Sequence, residues 1–346
     1  MNKTIINNPP PRLTNVSKKK ITWIVILQGL TMFLVVLGHS DLNQKETITW
    51  VGELYNFFRP FRMPLFLLIS GYLFCITRIQ KHKSYSFVIK DKFIRLGIPY
   101  LCFTIIGLIT KLLSSAFIKS PVEIHSLYDF ISIFVGLKAN PLSALWFIQV
   151  TLLLMMAYPL YKMILKNNYL ICIFSIFLIY LYYDSTIYQD IILFSFSSAM
   201  HLWIFFWTGI LIAHWQIDKL IVGKLQPLFI AIIAYIFLYL SSRFVYLGLA
   251  LLVSTAGIVM AFYFAKTAEK LFPNIFNSFR NNTYQIYLMS IFPQMGIEII
   301  YRFIGEKYFL PFFFTNIIVG LYFPILIVKI VQRYNIKWAK MVIGLS

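Results

Sequence analysis

Ile21–Ser40 reads ITWIVILQGLTMFLVVLGHS. Twenty residues rising 1.5 Å each span about 30 Å, the hydrocarbon thickness of a bilayer. The stretch has no Asp, Glu, Lys or Arg, and its apolar residues run continuously instead of alternating as in a barrel strand. It reads as the first membrane-spanning helix of an all-α integral membrane protein. Two polar side chains stand out in it, Gln28 and His39. Eleven steps of about 100° come to roughly three turns plus 20°, so a continuous helix puts both on one face, about 16 Å apart along the axis. Polar groups are costly inside a bilayer and usually mark function.

The rest of the chain agrees with a membrane class. Of 346 residues, 60% are apolar and only 12% charged, and the mean hydropathy is +0.77. A soluble domain averages about 45–50% apolar by a similar count. The net charge of +19 does not point to nucleic acid. The basic residues sit in short loops between apolar runs, as topology signals do. Cys75, Cys102 and Cys172 lie inside apolar stretches with no CxxC spacing, so core packing is expected and neither a disulfide framework nor a metal site is.

Apolar runs near 21–40, 55–77, 94–118, 142–164, 168–184, 192–215, 225–242, 244–265, 283–303 and 309–331 predict a bundle of about ten transmembrane helices. With the N-terminus inside, most of the 31 basic residues fall in cytoplasmic segments, which predicts that both termini are cytoplasmic. Residues 1–20, with Pro9-Pro10-Pro11, read as a disordered cytoplasmic tail without a cleavage site, and 332–346 as a cytoplasmic C-terminal tail. The longest outer loop, 119–141, has room for a short interfacial helix.

Polar side chains cluster at particular helix ends. An imidazole titrates near pH ~6.5 and suits a general base on a hydroxyl, which makes His39 the leading catalytic candidate. A His at that position also fits an interfacial residue bonded to a carbonyl or water. Arg59 and Arg62 are three apart at the start of the second span, where Pro60 and Pro64 predict a broken or kinked beginning. Ser70-Gly71 follows, with a small hydroxyl and room for a close helix contact. Lys92 and Arg95 sit at the cytoplasmic mouth of the third span and suit a polyanionic cytosolic ligand. Trp146 opens the fourth span. His201 and His214 are about 140° off a common helix face, so they do not read as one metal site. There is no HExxH, GxSxG or P-loop sequence.

Taken together, these segments resemble the acyltransferase-3 family of bacterial membrane acyltransferases. The resemblance rests on Leu27-Gln28-Gly29 through Gly38-His39-Ser40, on Arg62-Met63-Pro64-Leu65-Phe66 through Ser70-Gly71-Tyr72-Leu73, and on Lys92 through Arg95 to Pro99-Tyr100. Leu145-Trp146-Phe147, Phe206-Trp207-Thr208-Gly209 and Tyr284-Gln285-Ile286-Tyr287-Leu288 match later landmarks. The similarity covers about 20–331, with the membrane domain at 21–331.

The resemblance implies ten core helices in the bacterial cytoplasmic (inner) membrane. It also implies transfer of an acyl group, most often acetyl, from acyl-CoA to a hydroxyl of an envelope polysaccharide or glycolipid. His39 would then be the general base, Gln28 would hold the acyl donor, and Lys92 and Arg95 would receive coenzyme A phosphates. Arg59, Arg62, Ser70 and Trp146 would line the acceptor path. Two departures stand out: Gln28 replaces the family's arginine, and Met289-Ser290 stands where a histidine commonly follows the Tyr-Leu pair. Two alternatives stay open, a transporter or flippase for a polysaccharide intermediate and a catalytically silent partner in an envelope-synthesis complex.

Overall fold

The computed structural model describes residues 22–113, 124, 126–137, 140–243 and 246–345. The expected tail at 1–20 and, within the loop 119–141, residues 119–123, 125 and 138–139 lie outside the described residues. The described chain is helical, with no strand.

Helix α1 covers Thr22–Leu37 and α2 covers Thr49–Phe74, continued by a wide π turn at Cys75–Ile79. Helices α3 (Tyr85–Lys92) and α4 (Ile98–Leu113) join through a second π turn at Phe93–Gly97. The interfacial segment expected in the long loop is α5, Leu127–Val135, capped by Ser126 and closed by Gly136 with φ of 80°. Helices α6 (Trp146–Met156) and α7 (Tyr158–Ile164) form one apolar run bent by 48°. There follow α8 (Asn168–Tyr183), α9 (Phe196–His214), α10 (Leu225–Ser242) and α11 (Tyr246–Leu271). The expected ninth run divides at Ser290 into α12 (Thr283–Met289) and α13 (Ile291–Phe303), and α14 covers Phe309–Arg333. A short helix α15, Lys337–Val342, packs on α4, so part of the expected C-terminal tail is docked structure.

Among the described residues, six helices are long and apolar enough to cross a membrane, or seven if the bent α6–α7 pair counts as one span. The chain is therefore a multi-pass, all-helical membrane protein. Helices α1 and α8, with 16 residues each, are apolar but shorter.

Helix α2 departs from the sequence expectation. It starts at Thr49 and passes through Pro60 and Pro64 as one helix. A proline has no N–H to bond the carbonyl four residues back, so Pro64 leaves the Pro60 carbonyl open. Ser254 of α11 closes it, donating its hydroxyl to that oxygen at 2.7 Å. The cost of a proline inside the helix is offset by a neighbour, as membrane bundles permit. The cysteines also differ from a shared core role: Cys75 is buried, but Cys172 is exposed on α8.

The most extensive helix contact joins α2 to α9. A Cβ on Gly71 would lie 2.0 Å from the Phe206 carbonyl oxygen, and one on Gly209 would lie 2.0 Å from that of Leu68. The two backbones touch, which only glycine allows on either side. Adding a methyl here must spread the helices, at about 1–3 kcal/mol for overpacking. Gly209→Ala is expected to lower the thermal unfolding midpoint in detergent, whereas Gly296→Ala, with nothing within 4 Å of its new methyl, is expected to leave it unchanged or slightly raised.

Candidate functional site

The polar residues of α1 mark two ends of the bundle. At the end that carries Lys92 and Arg95, a cavity of about 830 Å³ opens between α1, α2, the α3–α4 turn and the start of α12. Lys81, Lys92, Arg95 and Arg280 line it, with no carboxylate side chain among the described lining residues. Local structure directs these cations. The π turn that carries Arg95 precedes Pro99, which cannot bond the Arg95 carbonyl, and wide turns of this kind often occur at functional sites. Asp91 is held by Arg78 at 2.6 Å and lies 3.9 Å from Lys92, so its charge is shared before the cavity is reached. Like charges gathered in a low-dielectric wall repel one another, and a polyanion relieves that repulsion.

The cavity reaches Gln28, whose amide makes no hydrogen bond within the described protein. A narrower space of about 260 Å³ shares Gln28, Thr77 and Lys92 with it and continues inward to Ser70, Phe147 and Tyr287. The Ser70 hydroxyl donates to the Phe66 carbonyl at 2.9 Å, which leaves its lone pairs for a guest. Tyr284 lines both spaces, and its hydroxyl is buried without a partner. The spaces around Gln28 also touch Thr31 and Ile69. The whole forms a tapering slot with a charged mouth and an apolar throat.

His39 is at the other end. Helix α1 stops at Leu37, and the His39 amide bonds the Val36 carbonyl, three residues back, at 3.0 Å. The last turn is therefore tighter than the continuous helix assumed from spacing, and His39 is rotated off the line through Gln28. His39 is half-buried, its ring makes no hydrogen bond among the described residues, and it does not line the basic cavity. Its neighbours are fixed. A Cβ on Gly38 would lie 1.4 Å from Nη1 of Arg62, so the buried guanidinium presses its Nη1 end against the glycine backbone. Arg62 also covers the Tyr55 ring at 5.4 Å, and its Nε is buried without a partner. On the far side, Gln294 Nε2 donates to the Val36 carbonyl at 3.0 Å and to Ser40 Oγ at 2.8 Å. Beyond the turn, Gln44 donates to Glu306 at 2.8 Å, and Asn43 donates to Glu298.

The expected site residues thus divide into groups. Gln28, Ser70, Lys92 and Arg95 share one connected space. Arg62 joins His39. Arg59, one turn before Arg62 on α2, does not join it at His39 but lines a separate cavity with His201. Trp146 lies outside the slot, where the adjacent Phe147 takes its place. Sequence reasoning missed Arg280, Lys81, Tyr284 and Gln294. Arg280 and Lys81 look like ordinary topology charges, and only the fold brings them to one mouth. Tyr284 belongs to a landmark segment and was the most accessible of the four. Among the described residues, no group of three or more His, Cys, Asp or Glu could hold a metal ion.

The fold and the slot together define a multi-pass helical membrane protein with a cation-lined cavity at one end of its bundle. The acyltransferase-3 family, described as an acyltransferase domain, matches residues 21–331, and the chain belongs to it. By family it is a membrane acyltransferase. No curated protein and no solved structure matches the chain.

Gln294 supplies the two bonds that hold the turn before His39. Gln294→Leu is expected to raise hydrogen–deuterium exchange at the Gly38–Ser40 amides several-fold, while exchange at the α2–α9 crossing stays as in the native protein. Unchanged exchange at the turn would remove the positioning role.

Proposed function

We propose that the chain is an O-acyltransferase that takes an acyl group, acetyl most simply, from acyl-CoA and places it on a hydroxyl of an envelope polysaccharide or glycolipid. The observation that carries this reading is the slot itself. Four cations and no carboxylate side chain surround its mouth, and its throat narrows past Gln28 to Ser70 and Phe147. A donor with phosphates at one end and a thioester on a long, slender arm has matching chemistry. Lys81, Lys92, Arg95 and Arg280 hold the phosphates, and the Gln28 amide bonds the acyl end without supplying charge.

In this reading the basic end is cytoplasmic, both termini are inside, and the membrane is the bacterial inner membrane. The spans number ten, with α1, α8 and the α12–α13 pair completing the long helices. His39 then faces the outer side and removes the proton of the acceptor hydroxyl. The oxygen attacks the thioester carbonyl, the C–S bond breaks, and coenzyme A leaves as the thiol after taking up a proton. The slot touches Thr31 and Ser70, and His39 is eight residues beyond Thr31, about 12 Å along the axis. Transfer therefore needs the side chains between them to part when both substrates are bound.

Two measurements test the reading. Arg280→Gln is expected to weaken coenzyme A binding by about tenfold in calorimetry, the value of one charge-assisted contact. Mass spectrometry of surface glycans is expected to show an acyl mass in cells carrying the native chain and none in cells carrying His39→Ala, with the variant still inserted in the membrane. A glycan that is unchanged when the gene is deleted would replace this function with that of a silent family member.

A further inference from the structure

A second cavity, of about 360 Å³, opens at the His39 end of the bundle, beside Arg59 of α2. Five helices converge on it. Arg59 comes from α2, Tyr182 and Tyr183 from α8, His201 from α9, Ser242 from α10 and Ser254 from α11. The proposed transfer uses none of these side chains; Arg59, which the resemblance placed on the acceptor path, lines this cavity instead.

The hydrogen bonds already made define what the wall can still accept. Ser254 spends its proton on the Pro60 carbonyl at 2.7 Å and Ser242 on the Tyr239 carbonyl at 2.7 Å. The Tyr183 hydroxyl donates to the Gly248 carbonyl at 3.3 Å. His201 bonds the Tyr182 backbone, and its ring stacks on that of Tyr182 with centroids 4.4 Å apart and planes 19° apart. These hydroxyls keep oxygen lone pairs but have no proton to give, so they suit a ligand that brings O–H donors. Arg59 is the reverse. It makes no hydrogen bond or ion pair among the described residues, and its five N–H groups suit an anion. Ala250 and Val253 form an apolar floor. The Ser242, Ser254 and Tyr183 hydroxyls are satisfied as donors within the wall, and the Arg59 guanidinium is not.

We infer that this cavity binds a phosphorylated, hydroxyl-bearing headgroup at the membrane surface, with the phosphate on Arg59 and the hydroxyls on the serine and tyrosine oxygens. The inference stands on the cavity alone and does not depend on acyl transfer. A phosphoglycerol group is the smallest ligand with both features. It could arrive on a membrane lipid or free in solution.

Native mass spectrometry of the full chain in an uncharged detergent tests this, with phosphatidylglycerol, phosphatidylcholine and sn-glycerol phosphate as probes. Phosphatidylglycerol is expected to bind at least tenfold more tightly than phosphatidylcholine, and Arg59→Gln to erase that preference. Arg59 is exposed and unpartnered, so the variant is expected to fold, and its thermal midpoint verifies this. Arg243→Gln, at an exposed arginine of the same end bonded to Glu53, is expected to keep the preference. Competition by sn-glycerol phosphate would make the headgroup sufficient and a soluble ligand the source. Failure to compete, with the lipid preference intact, would make a membrane lipid the source. Equal binding of the two lipids, native behaviour in Arg59→Gln, or an equal loss in Arg243→Gln would overturn the site, the last by showing only general attraction to a basic protein.

Discussion

The backbone contact between α2 and α9 is the constraint on which the rest of the bundle depends. Lipid is as apolar as a leucine side chain, so helices in a bilayer gain little from hiding apolar surface and much from close packing. Gly71 and Gly209 let the two helices meet carbonyl to Cα. That contact sets the rotation of α2, which sends Ser70 into the slot, Arg62 onto Gly38 and Arg59 to a separate cavity. The prolines of α2 fit the same logic. An open carbonyl at Pro60 is tolerable at membrane depth only with a donor beside it, and Ser254 ties α11 to α2 through it.

The two ends of the bundle meet the cost of polar groups in different ways. At the basic end, charges line a space large enough for water or a ligand. At the His39 end, the polar groups are packed. Gln294 is 2% exposed and spends its amide protons on α1, while its Oε1 has no partner. Asn316 is 1% exposed, one turn of α14 from Gly320, which itself packs against Gln294. Neither polar atom of Asn316 has a partner. A buried amide left unbonded costs about 1–3 kcal/mol, which makes this the polar end whose packing the bundle must accommodate.

Much of the architecture was readable from composition and spacing. The apolar runs correspond to helices, and the Gly71 and Gly209 segments, picked out only as landmarks, prove to be the two halves of one crossing. Gln28, Lys92 and Arg95, which only the family resemblance linked, line one cavity in the fold. The places where the reading failed have a common cause. Arg59 and Arg62 share a helix three residues apart, but different neighbouring helices flank them, so they line different cavities. Trp146 and Phe147 are adjacent, and one turn of α6 decides which ring meets the slot. The distance from Gln28 to His39 assumed an α-helix to the end, but the chain tightens after Gly38.

By itself the sequence determined the solvent of this protein, its helical class and the positions where polarity interrupts apolar helices. These follow from periodicity and transfer free energy, which are local properties of the chain. Only the tertiary structure decided which polar groups face each other. Arg280 meets Lys92 across nearly two hundred residues of chain, and His39 parts from the slot that Gln28 enters. Those outcomes depend on helix rotation and close backbone approach, and no local pattern records either.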